Sequence, residues 1–422
     1  MARMLARLAR LHPFRTPEAQ RLAILFAVVY FAQGMWSLPA QTMTIVLKER
    51  GLSSSAVADF FLLSTIPWII KPVYGLLSDL VPLFRRRRKS YFLLTSGLAS
   101  VAGFALALSA EHGYGRLALL YTAMGLGLAF TDVLADAIMV ETGKPRGLTG
   151  AFQSVQWASI SVATLAVGVL GGYLAHTRGL RVAFLVAACF PLVSFSMVLA
   201  FLREAPSRFD RAVVRESLQA IREAATHRQV WLVAGFIFLA NFNPLFGPSF
   251  LYYQTDVLRF DQWFIGVLGS VTAVGGIVGA VIYAPLSRRV PLGRLIVFTI
   301  AGGAAGTFAY LFYRGPVSGT LIDALYGVLG MILQLSMLDL AAKSCPKRAE
   351  GTFFALLMSV YNGSTQLSTN AGGRLYDTLG FAPLVLISTA MTALALLLVP
   401  LVKIDRIEAA ARQDRDPLEI RV

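Results

Sequence analysis

Long apolar stretches alternate with short polar gaps along the whole chain. Twelve stretches reach the ~20 residues that a helix needs to cross a hydrocarbon core: 22–47, 57–81, 91–110, 117–140, 150–174, 181–202, 229–255, 264–286, 293–313, 317–342, 351–374 and 381–402. An even number of crossings puts both ends of the chain on one side. The longest gap, 203–228, places Val213, Val214, Leu218 and Ile221 among Arg211, Arg215, Glu216, Arg222 and Glu223, the pattern of an amphipathic helix lying on a membrane surface. It separates a first six-helix bundle over 22–202 from a second over 229–402, with a basic leader at 1–21 and a tail at 403–422. The pattern therefore predicts an all-α membrane protein with twelve transmembrane helices in two bundles, embedded in a lipid bilayer.

Composition agrees with this layout. Of 422 residues, 56% are hydrophobic and 14% charged, where a soluble domain carries about 25% charged residues. A net charge of +15 raises the question of nucleic acid. The cations answer it, because they sit in short gaps between apolar segments and form no phosphate-binding face, so nucleic acid is excluded as a partner. Of the 38 Lys and Arg, 29 fall on the side of the N-terminus and 8 on the other, with Lys71 left inside a span. By the positive-inside bias both termini are expected in the cytoplasm. Cys189 and Cys345 suggest neither a disulfide framework nor a metal site. The leader carries Arg3, Arg7, Arg10, Arg15 and Arg21; a surface helix over Met1 to Leu11, an organellar transit peptide and a plain cytoplasmic leader all fit it. A bacterial inner membrane is the expected location, with a plastid envelope as the alternative.

The two bundles echo each other. Val73-Tyr74-Gly75-Leu76-Leu77-Ser78-Asp79 matches Ile282-Tyr283-Ala284-Pro285-Leu286-Ser287-Arg288 at an offset of 209, which Pro39 and Pro248 share. Ser154-Val155-Gln156 matches Ser359-Val360-Tyr361 at an offset of 205. Similar offsets across the chain indicate a duplicated six-plus-six architecture.

One stretch carries the clearest chemistry. Ile66 to Asp79 is an apolar helix with Lys71 at depth, followed by Arg85-Arg86-Arg87-Arg88-Lys89. A charge in a span costs at least about 2.5–3.5 kcal/mol on insertion scales, so Lys71 needs a carboxylate partner. Asp132 and Asp136 in span four lie four residues apart on one helix face at a similar depth. They are the expected partners, either as a permanent lock between spans two and four or as a cluster that exchanges a proton or engages an anionic solute.

Gly75-x-x-x-Asp79 before a basic loop resembles the loop motif of the major facilitator superfamily, although Leu80 to Phe84 intervene where Gly-Arg-Arg usually follows. Lys71 to Phe84 with the basic run and Ser90-Tyr91 resembles the folate–biopterin transporter family of that superfamily. So do Asp132-Val133-Leu134-Ala135-Asp136-Ala137, Gln153-Ser154-Val155-Gln156-Trp157 and Ala355 to Asn362. The resemblance covers nearly the whole chain. It implies the major facilitator fold, a small-molecule substrate (folate, pterin or a related organic anion), no cofactor, no metal and no enzymatic activity. It also implies a gating role for Asp79, facing a helix N-terminus and arginines across the half interface. Arg288 stands where the repeat would place an acid, and Asp339 in span ten is a candidate partner for Arg288 or Lys343. The run Arg85 to Lys89 reads as a topology signal in contact with anionic lipid.

Polar residues inside spans outline the expected substrate cavity. Span one carries Gln33 and Trp36; span five Gln153, Gln156 and Trp157; span seven Asn241 and Asn243; span eleven Tyr361, Asn362, Gln366 and Asn370. Amides pair with the donor–acceptor edge of a pterin ring, and the aromatics offer faces for stacking. Singly, each amide is as well explained as interhelical glue worth about 0.6 kcal/mol; together they point to a central site. No phosphate loop is present, which makes transport secondary. The chain is expected to work as a monomer by alternating access, coupled to a proton gradient as a symporter. A major facilitator carrier for a drug, peptide or sugar is the alternative, and a non-transporting receptor the third reading.

Overall fold

A computed structural model describes residues 14–413, apart from Arg15, 110–112, 144–147, Arg178, most of 208–227 and 346–349. The surface helices expected over Met1–Leu11 and 203–228 fall wholly or largely outside the described residues.

Helix boundaries follow local signals. Span one begins where the Thr16 hydroxyl accepts from the Ala19 amide, with Pro17 in the first turn. Span two begins at Ser53, whose hydroxyl caps the Ala56 amide. Asp261 caps the Phe264 amide at the start of span eight. Among the described residues, ten helices are long and apolar enough to cross a membrane, from Pro17–Glu49 and Ser54–Leu80 to Pro316–Ser344 and Phe381–Val402. They correspond to expected spans one to six, eight to ten and twelve. The chain is a multi-pass membrane protein.

Spans seven and eleven depart from a uniform apolar helix. Span seven runs as Arg228–Asn241, breaks around Pro244, and resumes as Pro248–Tyr252 with a π turn at Tyr253–Val257. Prolines 244 and 248 each remove an amide donor, and Gly247 takes φ 108° at the join. Span eleven, Glu350–Leu379, is a continuous 30-residue helix whose Ser, Thr, Asn and Gln lower its hydropathy. A further helix, Ile404–Gln413, follows span twelve. Its Ile404 and Ile407 are buried, and Glu408 accepts from the Leu292 amide at the start of span nine.

The chain forms two compact units, and these cut across the sequence duplication. The first comprises Met1–Ala40, Val73–Val167 and Gly179–Asp210. Its helices pack through small residues, as membrane helices do. A Cβ on Gly127 would lie 2.4 Å from the Thr95 carbonyl oxygen, so spans three and four touch backbone to backbone. The Thr95 and Thr131 hydroxyls bond at 2.9 Å beside that contact.

The second unit comprises Gln41–Pro72, Gly168–Arg178 and Arg211–Val422. The far ends of spans one, two and five thus belong with spans seven to twelve. One core gathers Phe236, Ile237, Ile296, Met337, Leu357 and neighbouring residues. A second is aromatic, built on Tyr310 and Tyr313 with Phe246 and Phe250 against them. Inside it the Tyr310 and Tyr313 hydroxyls donate to the two oxygens of buried Asp323 at 2.7 and 2.9 Å. Satisfying both oxygens ties span ten to the end of span nine.

Candidate functional site

In the first unit the acids of span four form the centre of a polar cluster inside apolar helices. Asp132 and Asp136 share one face, as their spacing requires. Asp136 Oδ1 accepts from the Tyr30 hydroxyl at 2.6 Å and from Gln156 Nε2 at 3.1 Å. Asp132 is buried and acts on the same tyrosine. Gln156 is 1% exposed, with its amide against this carboxylate. Tyr30 was not singled out by sequence. It lies one helical turn before Gln33, so the signal was there in the i, i+3 spacing.

Two buried polar atoms of this unit, Gln33 Oε1 and the Tyr74 hydroxyl, meet no partner among the described residues. Tyr74 stacks on Phe130, two residues before Asp132, at 4.7 Å. Unpaired buried polar groups cost about 1–3 kcal/mol each, and a polar solute or water would satisfy them. Trp36 is stacked on Tyr121 at 4.9 Å, and the Tyr121 hydroxyl donates to its carbonyl at 3.1 Å. Trp157 is half-buried, and only the backbone of Gln153 is described.

Span two is broken at Ile70, between Ser54–Ile69 and Lys71–Leu80. Pro72 is the reason. It has no amide hydrogen to donate to the Trp68 carbonyl four residues back. Asn362 of span eleven donates its Nδ2 to that carbonyl at 3.1 Å. The break brings Lys71 Nζ over the Trp68 ring, 4.8 Å from its centroid, a cation–π contact.

The other amides in the second unit are spent in several ways. Asn241 Nδ2 donates to the Ile237 carbonyl one turn back at 2.8 Å. Asn243 holds the span-seven break: Nδ2 donates to Thr307 at 3.0 Å and Oδ1 accepts from the Leu245 amide at 3.2 Å. Asn370 donates to Asp59 near the start of span two. Tyr361 packs against the aliphatic core, and Gln366 is half-buried.

The basic loop after span two carries more than topology. Arg88 is 7% exposed. It ion-pairs with Asp79, pairs with Glu141 at 2.8 Å, and donates to the Ser78 hydroxyl at 2.7 Å. Burial works against its charge, but Asp79 and Glu141 outweigh that, so the guanidinium is held more basic than usual. Glu204, just after span six, accepts from the amides of Arg87, Arg88 and Lys89 and so caps span three. Lys89 Nζ donates to the carbonyls of Leu199 and Leu202. Asp79 therefore has a partner from its own loop. At the end of span ten Asp339 pairs with Lys343 at 2.7 Å; the Arg288 side chain lies outside the described residues.

The BT1 family model matches residues 31–417. The chain belongs to the BT1 family. Relatives include a folate-biopterin transporter of Synechocystis sp., 33% identical over 86% of this chain and 76% of that one. A probable folate-biopterin transporter 4 of Arabidopsis thaliana is 24% identical over 85% of this chain and 89% of its own. Solved structures share the fold. A D-xylose–proton symporter superposes with a TM-score of 0.69 at 14% identity, covering 90% of this chain and 96% of its own. The nucleoside transporter NupG gives 0.68 at 12%, covering 92% and 99%. This BT1-family chain accordingly has the major facilitator fold and is a secondary transporter, not an enzyme.

Proposed function

We propose that this chain carries folates, pterins or a related organic anion, driven by a proton gradient, through alternating access of residues 22–202 against 229–402. The observation that carries the reading is Asp136, an acid inside an apolar span held by Tyr30 and Gln156. A carboxylate placed there is a functional group by default. It gains and loses a proton at low cost only if its hydrogen-bond partners serve both forms, as a tyrosine hydroxyl and an amide do. The folate-biopterin transporters among the relatives support the solute class.

In this reading Asp132 and Asp136 handle the proton, and Lys71 answers their charge or engages the anionic group of the solute. Gln33 and Tyr74 supply unpaired polar atoms for it. Trp36, Trp157 and Tyr361 offer ring faces, and Gln153, Gln156, Asn241, Asn243, Asn362 and Gln366 amides. Asp79, Arg288 and Asp339 act at the cytoplasmic gate. Both termini face the cytoplasm, the chain works as a monomer, and a bacterial inner membrane or plastid envelope houses it.

Uptake of labelled folate into proteoliposomes, with competitors and with or without a pH gradient, tests this. Saturable folate or pterin flux that rises with an inward proton gradient is expected. Flux of an unrelated solute alone moves the chain to another substrate class, and no flux for any solute defeats the carrier reading.

A further inference from the structure

Span one ends at Lys48 and span seven reaches Asp256. These two residues are 208 apart in sequence, against the offset of 209 that relates Pro39 to Pro248. They therefore stand within one residue of equivalent places in the two repeats, with opposite charges, and they form an ion pair. Thr255 also accepts from Lys48, and the Lys48 ammonium lies 4.7 Å from the centre of the Tyr252 ring. The Tyr252 hydroxyl in turn donates to the Leu52 carbonyl at 2.7 Å.

A second tie joins span two to span eleven on the same side, that of the first loop. Asp59 accepts from Arg374 at 2.9 Å and from Asn370, while Asp377 accepts from the Ser55 amide at 2.9 Å. All of these groups lie within the second compact unit.

The second tie rests on a seam of small residues, and a like seam joins spans five and eight. A Cβ on Gly373 would sit 2.9 Å from the Ser55 Cα. On Gly172 it would sit 2.8 Å from the Gly266 Cα, where spans five and eight touch. The duplication maps span two onto eight and span five onto eleven, so the two seams are counterparts. Such contacts bring helices close without interlocking side chains. The charged groups reach water to differing extents: Lys48 is 21% and Asp256 50% exposed, Arg374 61% and Asp59 46%. A cavity of about 640 Å³ opens beside the first tie, lined by Lys48, Glu49, His176 and Thr255 among others.

We propose that Lys48–Asp256 and Asp59–Arg374 are paired latches holding the first-loop ends of the spans shut, and that both release when the carrier opens on that side. This rests on the carrier reading and assigns its gate. Latches of this kind suit a cycle. Exposed pairs are weak, and each shifts the closed-to-open ratio by only about 1.5- to 5-fold. The seams lose few interlocked contacts on parting.

The test follows the gate directly. Ser54 is fully buried beside Gly373. In the full chain with Cys189→Ser and Cys345→Ser, Ser54→Cys is labelled by a membrane-impermeant maleimide, applied to each face of vesicles in turn. Lys48→Ala and Asp59→Asn should each speed labelling from the first-loop face by about 1.5- to 5-fold, and together by about the product. The swap Lys48→Asp with Asp256→Lys should return the rate to that of the parent, because it restores an ion pair between the same two positions. This arm also guards against misfolding, since a swap that labels slowly is folded and latched. Rates unchanged by the single substitutions, or a swap as fast as Lys48→Ala, would overturn the proposal. The readout needs no solute: unchanged labelling alongside intact folate uptake removes the latches and leaves the carrier standing. Altered labelling in a chain that moves no solute strikes the carrier reading instead.

Discussion

Asn362 donates to the Trp68 carbonyl, the one to which Pro72 has no amide hydrogen to give. Span eleven thereby repairs a defect in span two, and the repair fixes where Lys71 sits. In a bilayer such a carbonyl has no water to turn to.

Removing the donor exposes the defect. Asn362→Ala should destabilise the protein by about 0.5–1.5 kcal/mol, the net worth of the lost hydrogen bond. Pro72→Ala restores an amide donor to Trp68, so the double variant should recover part of that loss. Thermal unfolding in detergent across the four proteins measures the coupling; a coupling of zero refutes the link.

Arg88 serves Asp79, Glu141 and Ser78 at once. Arg88→Ala should therefore lower the melting temperature more than Asp79→Asn or Glu141→Gln does, because both acids lose one shared cation. Arg88→Lys should recover only part of the loss, since an ammonium lacks the planar fork that reaches several acceptors. Equal melting temperatures for Arg88→Ala and Asp79→Asn would show that the arginine acts on Asp79 alone.

Asp136→Asn keeps the shape of the span-four cluster and removes its proton. The variant should fold with near-parental stability and lose proton-stimulated uptake. Tyr30→Phe removes one hydrogen bond to the same oxygen and should shift the pH profile of uptake while sparing flux at its optimum. Uptake by Asp136→Asn that still follows the pH gradient assigns the coupling to another group.

Gly127→Val tests the seam in the first unit. Its side chain would press on the Thr95 backbone carbonyl, which has no rotamer by which to yield. The loss should reach about 1–3 kcal/mol, the cost of overpacking a close-fitted core. Gly113 meets nothing within 4 Å, so Gly113→Ala provides the neutral control in the same melting assay.

The sequence by itself determined the helices, the repeat and the candidate acids. Hydrocarbon forces each span to satisfy its own backbone, so membrane helices are written in local hydrophobicity and can be read residue by residue. Ten spans were legible in this way. The breaks in spans two and seven were not read from the sequence, where both run as continuous spans, although Pro72, Pro244 and Pro248 each remove an amide donor there. The i, i+4 spacing put Asp132 and Asp136 on one face. What the tertiary structure decided was who answers whom. Asn362 and Asn243 make contacts at the breaks in the backbone, Asn370 serves Asp59, and Arg88 looked like a lipid contact but is a buried partner of Asp79. Glu141 and Glu204 gave no local sign of their roles. Those assignments depend on the depth and rotation of neighbouring helices, and a lone helix carries no record of its neighbours. The pairing of Lys48 with Asp256 lies between the two cases: the repeat offset links the positions, but only packing puts their charges in contact.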